Sequence, residues 1–291
     1  MPSSILDILN ARIVRGKFSD EETQKHIFGF TVMGWGFAYD FFSYDVGVID
    51  EWMVALIKHC VKVEIYKDYI WKDWMGKGNF ATVYAWTKKS DNIKYAVKSI
   101  HKKKILESKR KKDINPLLSE IEIMRVLEHQ GVIRLYEIYE EETIVHLVLE
   151  LLEGGELFER IKQKGIYSEK DAMMIMKNIL EAISYVHSKG IIHWDLKPEN
   201  LILKSKDNDY DVKIADFGLA SFIKDGEKLN LPCGSPGYVG PEVLDTSFGG
   251  YDTKADIFSI GVILYVLLTG WPAFPGANVN DIITKNKIAD V

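Results

Sequence analysis

Apolar positions change their period partway along the chain. Residues 71–75 and 82–87 are short apolar runs on either side of a glycine turn, and residues 94–100 alternate in the same way, which predicts three strands. Residues 117–127 repeat apolar positions at the helical period, with Leu117, Ile121 and Met124 on one face. Two more strands are expected at 133–139 and 144–149. Beyond Gly155 helical periodicity dominates, at 157–164, 169–189 and 255–268. A small β-rich lobe followed by a helical one predicts an α+β, bilobal architecture with a ligand cleft between the lobes.

A change of character falls near residue 65. Before it, residues 5–14, 27–33 and 37–42 are short and rich in β-branched and aromatic side chains. The charged run 20–25 and Gly34 and Gly36 separate them, which predicts antiparallel strands joined by turns. Residues 48–61 place Trp52, Leu56 and Cys60 with Val54 and Ile57 on an amphipathic helix opened by Asp50 and Glu51. Strands followed by one helix with Trp52 at its centre resemble the C-terminal part of a pleckstrin-homology domain. A generic β-rich extension packed against the lobe beyond residue 65 is the alternative. The resemblance covers 1–65 and about the last half of such a domain, without its phosphoinositide-binding loop, so membrane binding is not expected.

The chain has 291 residues, 47% hydrophobic and 27% charged, enough for a sizeable core in one large domain or one domain with a smaller companion. A formal net charge of −5 does not suggest a nucleic-acid-binding surface. The basic blocks at 101–104 and 109–112 lie in a mixed-charge segment and read as solvated. Cys60 and Cys233 are the two cysteines, far apart, which suggests neither a disulfide framework nor a metal cluster and fits a reducing compartment. The opening residues lack the basic stretch and apolar run of a secretory signal. The longest apolar segment, 257–270, is too short to span a bilayer and begins after Asp256, so it reads as a buried core helix. A cytosolic protein is expected.

Gly76-Lys77-Gly78-Asn79-Phe80-Ala81-Thr82-Val83 lies between two strand patterns. Such glycines let backbone N–H groups approach a polyphosphate, and equally serve an ordinary hairpin; they lead into a strand, unlike a dinucleotide-binding turn. Lys98 ends the apolar strand Tyr95-Ala96-Val97. It is either a snorkelling surface lysine or a buried ammonium that needs a partner. Glu120 borders the apolar face of the next helix and can supply that partner, whereas Glu122 points about 200° away around the helix. Residues 192–203 then bring Asp195, Lys197 and Asn200 onto one short loop between apolar anchors. A phosphoryl acceptor needs a carboxylate to orient its hydroxyl, the phosphate gains from a cation, and Mg²⁺ takes hard oxygens. Asp216-Phe217-Gly218 supplies a second carboxylate placed to hold Mg²⁺.

The glycine loop, Lys98, Glu120, Asp195 with Asn200, and Asp216-Phe217-Gly218 occur in the order and spacing of the protein-kinase signature set. Residues 70–291 thus resemble a eukaryotic serine/threonine protein kinase. Leu151-Leu152-Glu153-Gly154-Gly155-Glu156-Leu157-Phe158 and Cys233-Gly234-Ser235-Pro236-Gly237-Tyr238-Val239 are similar to the calcium/calmodulin-dependent group. The resemblance implies a bilobal kinase-like fold, C-terminally incomplete, preceded by the partial pleckstrin-homology-like segment. It implies ATP held by Met75, Gly76, Lys77, Gly78, Asn79, Phe80, Ala81, Val83, Ala96 and Lys98, with Glu150 and Leu152 at the adenine, Glu156 at the ribose or a basic substrate side chain, and Leu149 as gatekeeper. It implies catalysis by Asp195 and Lys197 with Lys98 and Glu120, and Mg²⁺ on Asn200 and Asp216. Met124, Leu135, His193 and Phe217 would stack as an apolar spine anchored by Asp256. The implied partner is a protein with a Ser or Thr acceptor; calmodulin binding cannot be read. Glu156 and Glu199 suggest basic residues ahead of the acceptor. A nucleotide-binding pseudokinase acting as a scaffold is the competing reading.

Three positions depart from the pattern. Trp194 replaces the Arg that usually precedes the catalytic Asp, and the only Ser or Thr residues between Asp216 and Glu242 are Ser221 and Ser235, with Leu231 where a phosphosite is expected. The two changes together imply a segment whose conformation is not set by phosphorylation. Gly240 stands where Ala is usual, which adds backbone freedom, and no Arg follows Glu242 to pair with it.

Overall fold

A computed structural model describes residues 8, 10–19, 26–34, 37–78, 81–103 and 116–289. The chain divides into two compact units, Met1–Arg110 with Leu135–Leu151, and Lys111–Arg134 with Leu152–Val291.

The first unit is built on one nine-stranded sheet. Its expected strands are β5 (Tyr69–Lys77), β6 (Ala81–Lys88), β7 (Lys94–His101), β8 (Leu135–Glu140) and β9 (Ile144–Leu149), joined antiparallel in the order β8-β9-β7-β6-β5. Val97 and Val148, opposite each other across β7 and β9, share one face in a buried cluster with Tyr69, Trp86 and Tyr139. Ahead of them, β1 (Arg12–Ser19), β2 (His26–Gly34) and β3 (Phe37–Ser43) form an antiparallel meander. The first strand therefore starts later than the expected 5–14, of which residues 5–7 and 9 lie outside the described residues.

Helix α1 runs Val46–Ile57 and is opened by Asp45, whose side chain accepts the Gly47 N–H, rather than by Asp50 and Glu51. Its buried face is Ile49 and Met53, which pack with Ala11, Ile13, Phe30 and Val32. Trp52 and Val54 are 57% and 67% exposed, because each lies about 100° around the helix from Met53. Cys60 reaches that same core from the turn after the helix.

The meander does not stand apart from the rest of its unit. Val61–Lys62 forms a two-residue strand, β4, parallel to β1 and to β8, with Lys62 opposite Tyr139. A one-turn helix, α2 (Ile65–Asp68), then leads into β5. Around this junction lies a largely buried polar network. Glu137 accepts Lys88 Nζ at 2.7 Å and the hydroxyls of Tyr69 and Tyr139 at 2.9 Å each, with Lys62 Nζ 3.6 Å away. Lys62 also pairs with Asp68, whose Oδ2 lies 2.5 Å from Tyr139 Oη and shares that hydroxyl's single proton with Glu137. Burial pushes the Glu137 carboxyl up, but the Lys62 and Lys88 ammonium groups and the Tyr139 hydroxyl outweigh it and hold the group below its usual range.

The second unit is helical with short strand pairs. Helix α3 (Pro116–Val126) lies close to the expected 117–127. After β10 (Gly155–Glu156) come α4 (Leu157–Lys164) and α5 (Glu169–Ser188), the latter capped by Ser168, whose side chain accepts the Asp171 N–H. Short strands β11 (Ile191–Ile192), β12 (Leu201–Leu203), β13 (Val212–Ile214) and β14 (Ser221–Phe222) frame the loops between them. A one-turn helix α6 (Pro241–Leu244) precedes α7 (Lys254–Thr269), which is buried through Ile260, Ile263 and Leu267 and stops at Gly270 in the left-handed region. Helix α8 (Val279–Ile288), capped by Asn278, has no counterpart in the sequence expectations because its polar residues hide the period. Among the described residues no helix is long and apolar enough to cross a membrane.

Removing Lys62 leaves Glu137 buried with one cation fewer, while Asp68 still reaches water. Lys62→Met is expected to lower stability by about 2–3 kcal/mol. Urea unfolding of this variant beside Lys72→Met, on the exposed part of β5, checks it; equal midpoints would remove any weight from the network.

Candidate active site

The loop that carries Asp195 begins from a carboxylate in the apolar core. Asp256 on α7 is 1% exposed. A buried carboxylate is tolerated only when its oxygens are occupied. Oδ2 accepts the His193 N–H at 2.9 Å and meets His187 Nε2 at 2.8 Å, and Oδ1 accepts the Trp194 N–H at 2.9 Å. These bonds hold Trp194 at φ 69°, a left-handed conformation that a bulky side chain adopts only under constraint. His193 donates from Nε2 to the Ala215 carbonyl at 3.2 Å and accepts the Asp195 N–H on Nδ1 at 3.3 Å. Its ring meets Phe217 at 4.9 Å.

Asp195 follows directly and is half-buried. Its Oδ1 accepts Ser235 Oγ at 2.6 Å, and its Oδ2 accepts Asn200 Nδ2 at 3.0 Å and lies 3.0 Å from Lys197 Nζ. The 3-10 turn Pro198–Asn200 brings Asn200 back, so that Nδ2 also donates to the Asp195 carbonyl at 2.7 Å. Lys197 Nζ donates to Ser235 Oγ at 2.7 Å. Four side chains thus form one closed network around a single carboxylate.

Asp216 leaves β13 at φ 60°. A Cβ placed on Gly218 would lie 3.3 Å from Asp216 Oδ1 and 3.7 Å from Glu120 Oε2, so both carboxylates border that glycine. Glu120 is 6% exposed and Glu122 exposed, as the helix pattern predicts. The donor set fits Mg²⁺. Both Nδ2 bonds of Asn200 go to Asp195, which leaves its side-chain oxygen available as a hard ligand, and the carboxylate of Asp216 is of the same hard type.

The other expected residues lie on three adjacent strands of the first unit and at its exit. Lys98 pairs across the sheet with Val83 and Leu147, and Ala96 with Ala85 and Leu149. Met75, Gly76 and Lys77 end β5, and the Gly78 N–H donates to the Ala81 carbonyl at 2.9 Å, closing the turn. Asn79 and Phe80 lie outside the described residues. Glu150 is half-buried, Leu152 buried, and Glu156 exposed on β10. The structure brings Asp195, Lys197 and Asn200 together, and sets Glu120 beside Asp216.

Ser235 is the residue that sequence reading misses. It enters only as a hydroxyl outside the phosphosite, and its partner Asp195 is 40 positions away, so no local spacing announces it. Gly234, at φ 96°, makes the approach possible, since a Cβ there would lie 2.5 Å from the Trp194 carbonyl oxygen.

The departures also find places. Trp194 packs into an apolar cluster with Tyr251, Val239, Val243 and Ala255, to which Ile223 and Leu229 add. Its ring lies 6.1 Å from Tyr251. Tyr251 pairs with the Leu229 backbone in both directions and donates its hydroxyl to the Leu231 carbonyl. Gly240 has φ −63°, so backbone freedom is not its role; a Cβ there would overlap Glu242 Oε1 and force that carboxylate to turn away. Glu242 itself is half-buried rather than sealed, which relieves the cost expected of an unpaired carboxylate.

The protein kinase domain family matches residues 69–290. The chain is 43% identical over 222 residues to myosin light chain kinase A of Dictyostelium discoideum, covering 76% of this chain and 73% of that protein. It is 44% identical over 218 residues to a probable serine/threonine-protein kinase 2 of Plasmodium falciparum, covering 75% and 41%. It is 43% identical over 211 residues to a calcium/calmodulin-dependent protein kinase type 1 of Caenorhabditis briggsae, covering 72% and 57%. The chain belongs to the protein kinases. Within them its relatives are serine/threonine kinases of the myosin light chain and calcium/calmodulin-dependent types, and it spans 41% to 73% of the three compared.

Ser235→Ala removes a hydrogen bond to a charged carboxylate without opening a large cavity. A fall in kcat of about tenfold or more, with the KM for ATP within about twofold of wild type, is the expected outcome in steady-state assays.

Proposed function

We propose that this chain transfers the γ-phosphoryl group of ATP to serine or threonine hydroxyls of other proteins. The observation that carries the proposal is the Asp195 carboxylate, held by Ser235 and Asn200 with Lys197 beside it. A carboxylate so fixed can accept the hydrogen bond of an incoming hydroxyl and take its proton as the bond to phosphorus forms. In this reading Lys197 neutralises charge on the transferred group and Lys98 holds the α- and β-phosphates. Asn200 and Asp216 would hold Mg²⁺, which when bound neutralises charge on the phosphate oxygens. Little covalent work falls to the protein; orientation and charge do the rest.

Asp195→Asn keeps the shape and removes the base. A loss of about 10²-fold or more in phosphate transfer from radiolabelled ATP to a serine peptide is expected. Nucleotide binding by the wild-type chain without transfer would favour the pseudokinase reading.

The finer reading is a preference for basic residues ahead of the acceptor. Glu199 Oε2 is buried without a hydrogen-bond partner among the described residues, an arrangement that an incoming cation would relieve. The Glu156 carboxyl is held above its usual range by desolvation, then by Glu199 and Glu159. Its protonation therefore begins at a higher pH than for an ordinary glutamate, and the negative charge is present above that point. As pH falls from neutrality, KM for an arginine-containing peptide is expected to rise before that for a neutral peptide, and Glu156→Gln to flatten the difference. Identical pH profiles for both peptides would reject this preference.

Residues 1–65 are assigned as a partial pleckstrin-homology-like extension on the order of three strands and a helix, with no lipid assigned to it. Cys60 and Cys233, buried and half-buried thiols, support a reducing compartment such as the cytosol.

A further inference from the structure

One edge of the nine-stranded sheet is left open. Strand β3 stands last in the strand order, and among the described residues it pairs only with β2. That pairing keeps its register without a break, from Phe28 opposite Ser43 to Gly34 opposite Phe37. The opposite edge, β5, is interrupted by register shifts at Trp71/Asp73 and Trp74/Gly76 and carries Lys72 and Lys77. Bulges, lysines and prolines blunt a sheet edge, and β3 has none of them. A regular strand with an unpaired row of N–H and C=O groups is a template for one more strand.

Alternation sorts β3 onto two faces. Tyr39 and Phe41, opposite Val32 and Phe30, lie on the face that bears α1, and Tyr39 is 48% exposed. To that face α1 adds Val48 and Trp52. Asp50 reaches back to Arg15 on β1 at 2.6 Å. Val48 and Trp52 are each two residues from Asp50, about 160° around the helix from it, so they flank the β3 side. On the other face Asp40 stands between Ala38 and Phe42. Its Oδ1 accepts Thr31 Oγ1 at 2.6 Å, and Phe42 is 60% exposed. Charge here has one sign: residues 37–57 contain Asp40, Asp45, Asp50 and Glu51 and no Lys or Arg.

We propose that the β3 edge takes an extended segment of a partner protein in which apolar and basic side chains alternate, added to the sheet as one more strand. Its backbone pairs with β3. Its apolar side chains lie beside Tyr39, Phe41 and Trp52. Its Lys or Arg side chains, on the other face, meet Asp40 and lay their stems along Phe42, whose ring attracts a cation. The uniform acidity favours this occupant over a second copy of the strand, which would bring the same carboxylates to the edge, and over an anionic lipid surface.

The test is fluorescence anisotropy of a labelled peptide of about nine residues, alternating valine and lysine, added to the full chain. Saturable binding is expected, with Kd weakened about tenfold or more in Tyr39→Lys and in Trp52→Ala. A peptide alternating valine and glutamate is expected to bind about tenfold more weakly or worse. Only one set of alternate backbone N–H groups of an added strand faces β3, so N-methylation of one set abolishes binding and of the other spares it. Binding that survives both methylated sets, or unchanged Kd values in the two variants, would overturn the proposal. Amide hydrogen exchange on the wild-type chain needs no variant: the peptide is expected to slow exchange within residues 37–43, and slowing nowhere or only elsewhere overturns it. A sedimenting dimer that Tyr39→Lys dissociates would assign the edge to a second copy, and pelleting with phosphatidylserine vesicles that Trp52→Ala abolishes would assign it to lipid; either result also overturns it.

Discussion

The second unit depends on one buried charge. Asp256 sits in a helix that is otherwise apolar toward the core, and a carboxylate there is stable only because three donors converge on it. The dependence runs both ways. The donors include two consecutive backbone N–H groups, so the chain at His193 and Trp194 has to turn through a left-handed residue to present them. That turn delivers Asp195 directly after the fixed point. A side chain on a loop gains the precision of a helix core because its backbone is hydrogen-bonded to one.

The segment from Asp216 to Glu242 is tied down by similar means. Kinases that use a phosphate and an arginine here join loop and core by a charge pair that can be made and removed. This chain has an indole at that position, in a cluster with Tyr251, Ile223 and Leu229. Apolar burial is not switched by a modification, and it resists salt that would screen a charge pair. Tyr251 adds a hydroxyl bond to Leu231, and Asn286 closes the far end at Gly237 and Val239. These ties use groups present in the sequence as translated.

Much of the site was legible because its parts are close in sequence. Asp195, Lys197 and Asn200 fall within one short turn, and a turn that short leaves few ways to place three polar groups. The central strands of the first unit were legible as short apolar runs, β9 being buried along nearly its whole length. The failures have physical causes as well. Strand β4 has two residues, too few for any period, yet it joins the meander to β8. Helix α8 is mostly polar, so its period is carried by buried amide chemistry at Asn286 that a hydropathy pattern does not register. In α1, Trp52 looked like a core residue by type, but the register of Ile49 and Met53 decides which face is buried. Ser235 depends on a contact formed only after folding.

A comparison of satisfied and unsatisfied polar groups in the second unit separates scaffold from binding surface. Asp256, Asn286 and Asn200 are buried, and each is matched by donors or acceptors of the protein itself. They have nothing left to offer a ligand, except the Asn200 carbonyl. Glu199 and Glu156 differ. One has a buried oxygen without a hydrogen-bond partner, and the other has its pKa raised by desolvation and by neighbouring carboxylates. Two like charges held near each other at a stability cost are tolerated where a cation will arrive. The acidic pair therefore differs in kind from the neutralised residues that build the loop.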